Sequence, residues 1–391
     1  MAQQNNNQMS PRQLDLMICK ILREQTPVYN KTLGTFTGAL GQTTRIKLSN
    51  VGLTTRIFLN VTVNTTVAVA AVNLNAKGLS AFAPRVTFSD FDGTLRTNIS
   101  AYHLKVRNTL RKKYPKTFGE TILTSVIDNT LNVAGAIPPY TNENFNGATG
   151  TNNQSFMVEI PVCKDFERGD YRGCINTQTT QGDVYASIDF CSLASVVSAT
   201  LNDDTVFNSA TGTVAINSIS VEAIQEYFMI QNVGGVVTLP QYSTACVYAL
   251  EGFTRTTDNI SAGNEKMISL PNARVISGVY LSYMNNARLA GGTGLSVTDL
   301  TRLKLIANAG NYLKDLSAAV QYFMQRESAG VDINAGFYFY DFEPAPISTD
   351  VYGNCQIALT PSTTVTNPNI EMTFESLYMK GAALSGISQS G

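Results

Sequence analysis

Short runs in which apolar and polar residues alternate, with turn signals between them, constrain this chain more than any other feature. Ile57, Leu59, Val61 and Val63 alternate with Phe58, Asn60, Thr62 and Asn64. Successive side chains of a strand point to opposite faces, so such a run buries one face and leaves the other polar. The same pattern recurs at Ile46 and Leu48, at Phe156–Val162, at Val184–Phe190, at Ile219–Ala223 and at Val275–Tyr283. Shorter strands are expected at Val86–Phe88, Gly336–Phe342, Cys355–Leu359 and Ile370–Phe374. Charged residues make up only 15% of the chain, against about 25% in ordinary domains. Thr, Asn, Ser and Gly take their place, which favours strands and polar turns over solvated helices. The fold class is mainly β.

The strands fall into two halves of similar length, each with helical material in a long interior connection. Two sandwiches or jelly rolls side by side fit this spacing. The boundaries read as an N-terminal arm over 1–31, a first unit over 32–207, a linker over 208–214, a second unit over 215–380 and a flexible tail over 381–391. Within the arm, a polar leader precedes Ser10-Pro11-Arg12-Gln13, a helix start with Ser as N-cap and Pro at the first helical position. Leu14, Met17, Ile18, Ile21 and Leu22 then form one apolar face, which either docks on the chain's own core or contacts a neighbouring subunit or a membrane. A second helix is expected over Asn98–Lys113. In the second half, helices are expected from about Val297 to Asn308 and around Leu313, Leu316, Val320 and Phe323. Thr117–Val133 reads as β-like and Pro138–Asn153 as an exposed loop.

Several stretches carry residues that could do chemistry. Val86–Leu95 contains Asp90-Phe91-Asp92-Gly93-Thr94, similar to the first motif of haloacid-dehalogenase phosphatases. That resemblance implies nucleophilic and acid–base roles for Asp90 and Asp92. The competing reading is a β-hairpin, because Asp-Gly tolerates the positive φ a tight turn demands. The phosphatase fold needs strands alternating with helices around a parallel sheet, and the text after this segment lacks that alternation. The helix that follows carries Lys105, Arg107, Arg111, Lys112 and Lys113. Such a cluster is a solvated or salt-bridging face, or a contact for an acidic partner or anionic lipid. Gly291–Gly294 lacks the frame of a phosphate-binding loop. Tyr338, Tyr340 and Tyr352 would serve a carbohydrate-binding or spike protein as an aromatic platform, although alternating tyrosines also pack sandwiches. One histidine, His103, excludes any mechanism that needs two imidazoles, and six scattered cysteines read as buried thiols without metal spacing. No cofactor, metal or small-molecule substrate is expected. The net charge of -1 argues against a specific nucleic-acid partner. Neither a secretion signal nor a spanning segment is read, so the expectation is a soluble protein made in a cytoplasm.

A resemblance runs along nearly the whole chain. Asn50-Val51-Gly52, the strand Ile57–Val63, the turn at Asp90–Gly93 and Tyr102-His103-Leu104 through Asn108-Thr109 resemble, in order, the first half of tectivirus-like major capsid proteins. Gly336-Phe337-Tyr338-Phe339-Tyr340-Asp341, Tyr352-Gly353-Asn354 and Leu359-Thr360-Pro361 resemble a hairpin of their second half. The absence of Trp and the stretch Cys163–Thr180 depart from that pattern. The resemblance implies a double jelly roll, a non-enzymatic coat protein that assembles as a homotrimer of pseudo-hexagonal outline. Such trimers tile the icosahedral virion of a bacteriophage around an internal membrane, with the N-terminal helix at the inner face. Implied partners are neighbouring trimers, other capsid proteins such as a vertex protein, and lipid.

Overall fold

The computed structural model describes residues 11–112, 143–178, 182–200, 202–229, 232–233, 236–237, 246–253, 260–285, 288–289, 299–308, 310–329, 336–343 and 345–379. The alternating runs pair into sixteen principal strands in two sets of eight. The first set follows helix α1 (Pro11–Gln25): β1 (Val28–Gly38), β2 (Thr43–Lys47), β3 (Leu53–Ala68), β4 (Arg85–Ser89), β5 (Leu95–Ile99), then helix α2 (Ala101–Lys112), β6 (Gly150–Pro161), β7 (Tyr185–Asp189) and β8 (Thr213–Phe228). The second set is β9 (Cys246–Phe253), β10 (Lys266–Ser269), β11 (Val275–Asn285), β12 (Leu300–Ala307), β13 (Asn311–Ser317), then helix α3 (Ala318–Ala329), β14 (Phe337–Asp341), β15 (Gln356–Pro361) and β16 (Pro368–Met379).

Each set folds the same way. In the first unit one sheet runs β1-β8-β3-β6, and the facing strands run β2-β7-β4-β5. In the second unit the orders are β9-β16-β11-β14 and β10-β15-β12-β13. Shifting each strand number by eight turns one description into the other. This is the jelly-roll order, in which long connections alternate between two facing sheets. The units are joined edge to edge, because β5 pairs in parallel with β9 through Thr97–Leu250 and Asn98–Glu251.

The physical logic is plainest in β3. Ile57, Leu59, Val61 and Val63 face inward and are fully buried. Beyond Phe58 the other face is polar and bonds sideways: Asn64 Nδ2 donates to Asn153 Oδ1 at 2.6 Å, and Asn217 Nδ2 donates to Asn64 Oδ1 at 2.6 Å. The abundant Asn and Thr thus lace neighbouring strands together without charge. Separate apolar cores fill the units, one around Ile57, Phe82 and Phe156, the other around Leu281, Leu305 and Phe374. At the turn before β3, Gly52 has φ 151°, and a Cβ there would lie 2.3 Å from the Phe228 carbonyl oxygen. Only glycine fits that approach.

Several expectations are corrected. The helix from Val297 to Asn308 is strand β12 over its described part, because Leu303 and Leu305 point into the core between strands on both sides. Leu313 and Leu316 lie in strand β13, and only Val320 and Phe323 sit on helix α3. The linker at 208–214 and a second unit beginning at 215 give way to β8, which is paired between β1 and β3 of the first unit. The loop expected up to Asn153 ends earlier, because β6 begins at Gly150. Helix α2 starts at Ala101 rather than Asn98, since Leu95–Ile99 forms a strand. The expectations for the leader, Thr117–Val133, Gly291–Gly294 and the tail lie outside the described residues. All six cysteines are buried and none is in a disulfide.

Candidate functional site

A cluster of buried charge lies at the joint between the two units. Helix α2 leaves the first unit and lies across the outer face of the second. Ala101 and Leu104 pack into the first core, and Asn108 Nδ2 donates to the Glu159 carbonyl of β6 at 2.8 Å. On the opposite side, Tyr102, Val106 and Leu110, four residues apart, pack on Tyr280, Phe337 and Phe339 of the second unit. That spacing places one residue per turn on one helix face.

Beside this apolar contact sits Glu375 of β16, almost fully buried. Its Oε1 accepts from Arg107 Nη2 at 2.8 Å and from the Tyr248 hydroxyl at 2.9 Å. Its Oε2 accepts from Arg111 Nη2 at 2.7 Å and Nε at 3.0 Å, and from the Tyr280 hydroxyl at 2.9 Å. Arg111 Nη1 also reaches Asp341 Oδ1 at 2.9 Å, and Arg107 Nη2 donates to the Lys164 carbonyl at 2.8 Å. Burial alone would raise the Glu375 carboxyl; the Arg111 and Arg107 charges overcome it and hold the group well below the usual carboxylate range. Burial pushes the Tyr248 and Tyr280 hydroxyls up, so both remain protonated donors. The cluster is an electrostatic clamp in which both carboxylate oxygens of Glu375 are engaged, each by an arginine and a tyrosine hydroxyl. Further pairs cross the same seam, with Lys77 Nζ 3.7 Å from Glu371 and the buried His103 ring bonded to Thr373 and Ser282 at 2.8 and 2.7 Å.

The residues singled out from the sequence can now be placed. Lys105, Arg107 and Arg111 turn inward, Lys105 onto Glu143 at 2.9 Å. Their charges meet carboxylates of the same chain rather than a lipid-facing surface. The Lys112 side chain and Lys113 lie outside the described residues. On α1, Leu22 is buried with Leu53, Tyr171, Cys174 and Phe228, and Ile21 packs against them, while Met17 is exposed. The side chains of Leu14 and Ile18 lie outside the described residues. Part of the arm's apolar face therefore docks on its own unit, where Cys163, Phe166, Tyr171 and Cys174 supply the wall.

Asp90-Phe91-Asp92-Gly93 is the tip of the hairpin between β4 and β5, closed by Asp90 N–H to Thr94 carbonyl at 2.9 Å, with Gly93 at φ 81°. Asp90 is buried and gripped by Arg96 Nη2 at 2.6 Å and Nε at 3.0 Å. A nucleophile needs an approach path, and this carboxylate has an arginine in its place. The hairpin replaces the phosphatase reading. Tyr338 and Tyr340 are buried in the second core and Tyr352 alone of the three is exposed, so they do not form a shared aromatic platform. Sequence reasoning missed Glu375, Tyr248, Tyr280 and Asp341. A glutamate on the outer face of an alternating strand is a signal in itself, but its partners lie 264 and 268 positions away.

Comparison with known proteins decides the family. Residues 22–229 match the P3 major capsid protein N-terminal model, and residues 245–390 match the P3 major capsid protein C-terminal model. The chain belongs to the P3 major capsid protein family. As a major capsid protein it is a component of a virion's shell. No curated protein sequence matches the chain. Solved structures share its fold at low identity. The crystal structure of the STIV major capsid protein superposes with a TM-score of 0.63 at 12% identity, covering 93% of this chain and 99% of that one. The PBCV-1 virus capsid gives 0.61 at 10%, covering 91% and 94%. The Faustovirus major capsid protein gives 0.54 at 10%, covering 91% and 90%. The paired eight-strand orders are thus the double jelly roll of this capsid protein, and the clamp at Glu375 holds its two barrels in one orientation.

Proposed function

We propose that this capsid protein acts by self-assembly alone, as a homotrimer of pseudo-hexagonal outline that tiles an icosahedral bacteriophage shell around an internal membrane. The observation that carries the reading is the joint. Two barrels of identical strand order are fused edge to edge and locked by a buried clamp, so one chain presents the same kind of unit twice. Three such chains offer six similar units, and cyclic closure of a heterologous contact gives a closed ring. The absence of catalytic activity is part of the proposal; it is supported by the closed hairpin at Asp90, whose carboxylate is held by Arg96. We assign Leu14, Met17 and Ile18 of α1 to contact with a neighbouring subunit or the membrane surface, Met17 being exposed while Leu22 anchors the helix from beneath. Neighbouring trimers and a vertex protein are the further partners.

Light scattering of the purified protein, with negative-stain images of the same peak, tests the proposal. A trimer with a roughly hexagonal outline supports it; a monomer or dimer overturns it. The arm is tested separately by replacing Leu14 and Ile18 with Asp. The variant is expected to keep the trimer and lose particle assembly, and unchanged assembly would remove the arm from the account.

A further inference from the structure

The stretch Cys163–Thr180 opens on a small hairpin outside the sixteen principal strands. Asp165 and Asp170 exchange N–H to carbonyl bonds at 3.0 and 2.8 Å, and Lys164 N–H donates to the Arg172 carbonyl at 2.9 Å. Gly169, at φ 72°, helps to turn the chain between them. Cys163 and Cys174 flank the last of these bonds, and Gly173 is the extra residue of a bulge on one side. Gly173 has φ 102°, and a Cβ on it would lie 2.8 Å from the Val162 carbonyl oxygen. The two arms of the hairpin therefore touch at its mouth. There the Cys174 thiol is hydrogen-bonded to the Cys163 thiol. Opposed residues of an antiparallel pair stand about 4.5–5.5 Å apart at Cα, within the span of about 4.4–6.8 Å that a disulfide bridges. Both cysteines are buried in one apolar cluster with Leu22, Leu53 and Phe228.

Four arginines from four elements rest on this hairpin. Arg107 of α2 donates through Nη2 to the Lys164 carbonyl at 2.8 Å, and Arg96 of β5 donates through Nη1 to the Gly173 carbonyl at 2.6 Å. Arg56 of β3 donates through Nη1 to Glu167 Oε1 at 2.9 Å. The Arg23 side chain of α1 crosses Gly169, 2.9 Å from where a Cβ would stand. One hairpin thus backs the clamp between the barrels, the turn at Asp90 and the N-terminal arm. A covalent bond across its mouth would tie down all three supports at once.

We propose that Cys163 and Cys174 are a modification site, a dithiol that a small peroxide converts to a disulfide once the shell protein leaves the cell. A virion's shell is built where thiols are kept reduced and works where disulfides persist. One thiolate attacks hydrogen peroxide; an S–O bond forms, the O–O bond breaks, and the first water leaves with a proton from the medium. The second thiol then displaces the sulfenic oxygen; the S–S bond forms and a second water leaves. The two sulfurs give up two electrons and the peroxide is reduced to water. Burial of the pair keeps bulkier oxidants out. Cys19 shares the cluster from α1 and is the competing partner, whereas Cys191, Cys246 and Cys355 lie in the cores of the two units.

The test uses the full chain, first reduced, then exposed to hydrogen peroxide, denatured and alkylated. Two fewer free thiols are expected than the six of the sequence. Lys164, Arg168 and Arg172 lie between the two cysteines, so trypsin parts them unless they are bonded. Mass spectrometry should find the peptide ending at Lys164 joined to the one beginning at Gly173, and the two should separate on reduction. Cys163→Ser is expected to abolish the loss of thiols, while Cys19→Ser and Cys191→Ser keep it. Oxidation is also expected to raise the unfolding temperature of wild type and to leave that of Cys163→Ser unchanged. Six free thiols in oxidised wild type, thiols lost without this link, or a link to Cys19 overturns the inference. The wild-type peptide map decides the matter even where Cys163→Ser does not fold.

Discussion

Glu375 is a buried carboxylate that stays ionised because two arginines from another barrel reach it. Replacing it with Gln would leave Arg107 and Arg111 buried with only Asp341 as counter-charge. Breaking a buried pair by removing one partner costs about 3–5 kcal/mol, so Glu375→Gln should lower the unfolding transition clearly in calorimetry. The pH dependence has a definite sign. The folded Glu375 sits below its unfolded value, near about 4.3, so its contribution is fully present above that pH and is lost as pH falls through the folded value. Wild-type stability should therefore decline on acidification below about pH 4, and Glu375→Gln should decline less steeply there. Asp90 makes a similar case at the hairpin. Asp90→Asn strands the buried Arg96 and should cost about 3–5 kcal/mol. Phosphate-ester hydrolysis should stay at background for wild type and variant alike.

Among the elements, α1 can be divided by substitution. Leu22 lies under the helix against Leu53 and Phe228, so Leu22→Ala should cost about 2–5 kcal/mol. Met17 is exposed, and Met17→Ala should fall within about 0.5 kcal/mol of wild type in chemical unfolding of the isolated protein. Strands were the legible part of this fold, because period-two burial is written directly into Ile57–Val63 and Val275–Tyr283. The errors have physical causes. Leu300, Leu303 and Ile306 share helical spacing with each other as well as strand spacing with their neighbours, and pairing with β15 and β13 settles the matter. Asn208 and Gly212 read like a linker, yet Asn208 pairs with Asn73, the Gly212 N–H donates to Ser209 Oγ at 2.8 Å, and Thr213 already opens β8. The α2 cluster was legible as a salt-bridging set; that it would bolt two barrels together was not, since Glu375 is named by nothing near it in sequence.

At the scale of the molecule, one strand order is used twice and the two units meet at one joint. The parallel pairing of β5 with β9 makes a continuous sheet across both barrels, and the helix bolt with its charge clamp fixes their angle. The most direct measurement of this account is a cryo-electron microscopy reconstruction of the purified oligomer without imposed symmetry. The account predicts three chains around one axis and six barrel densities in a ring. A two-fold dimer would contradict it.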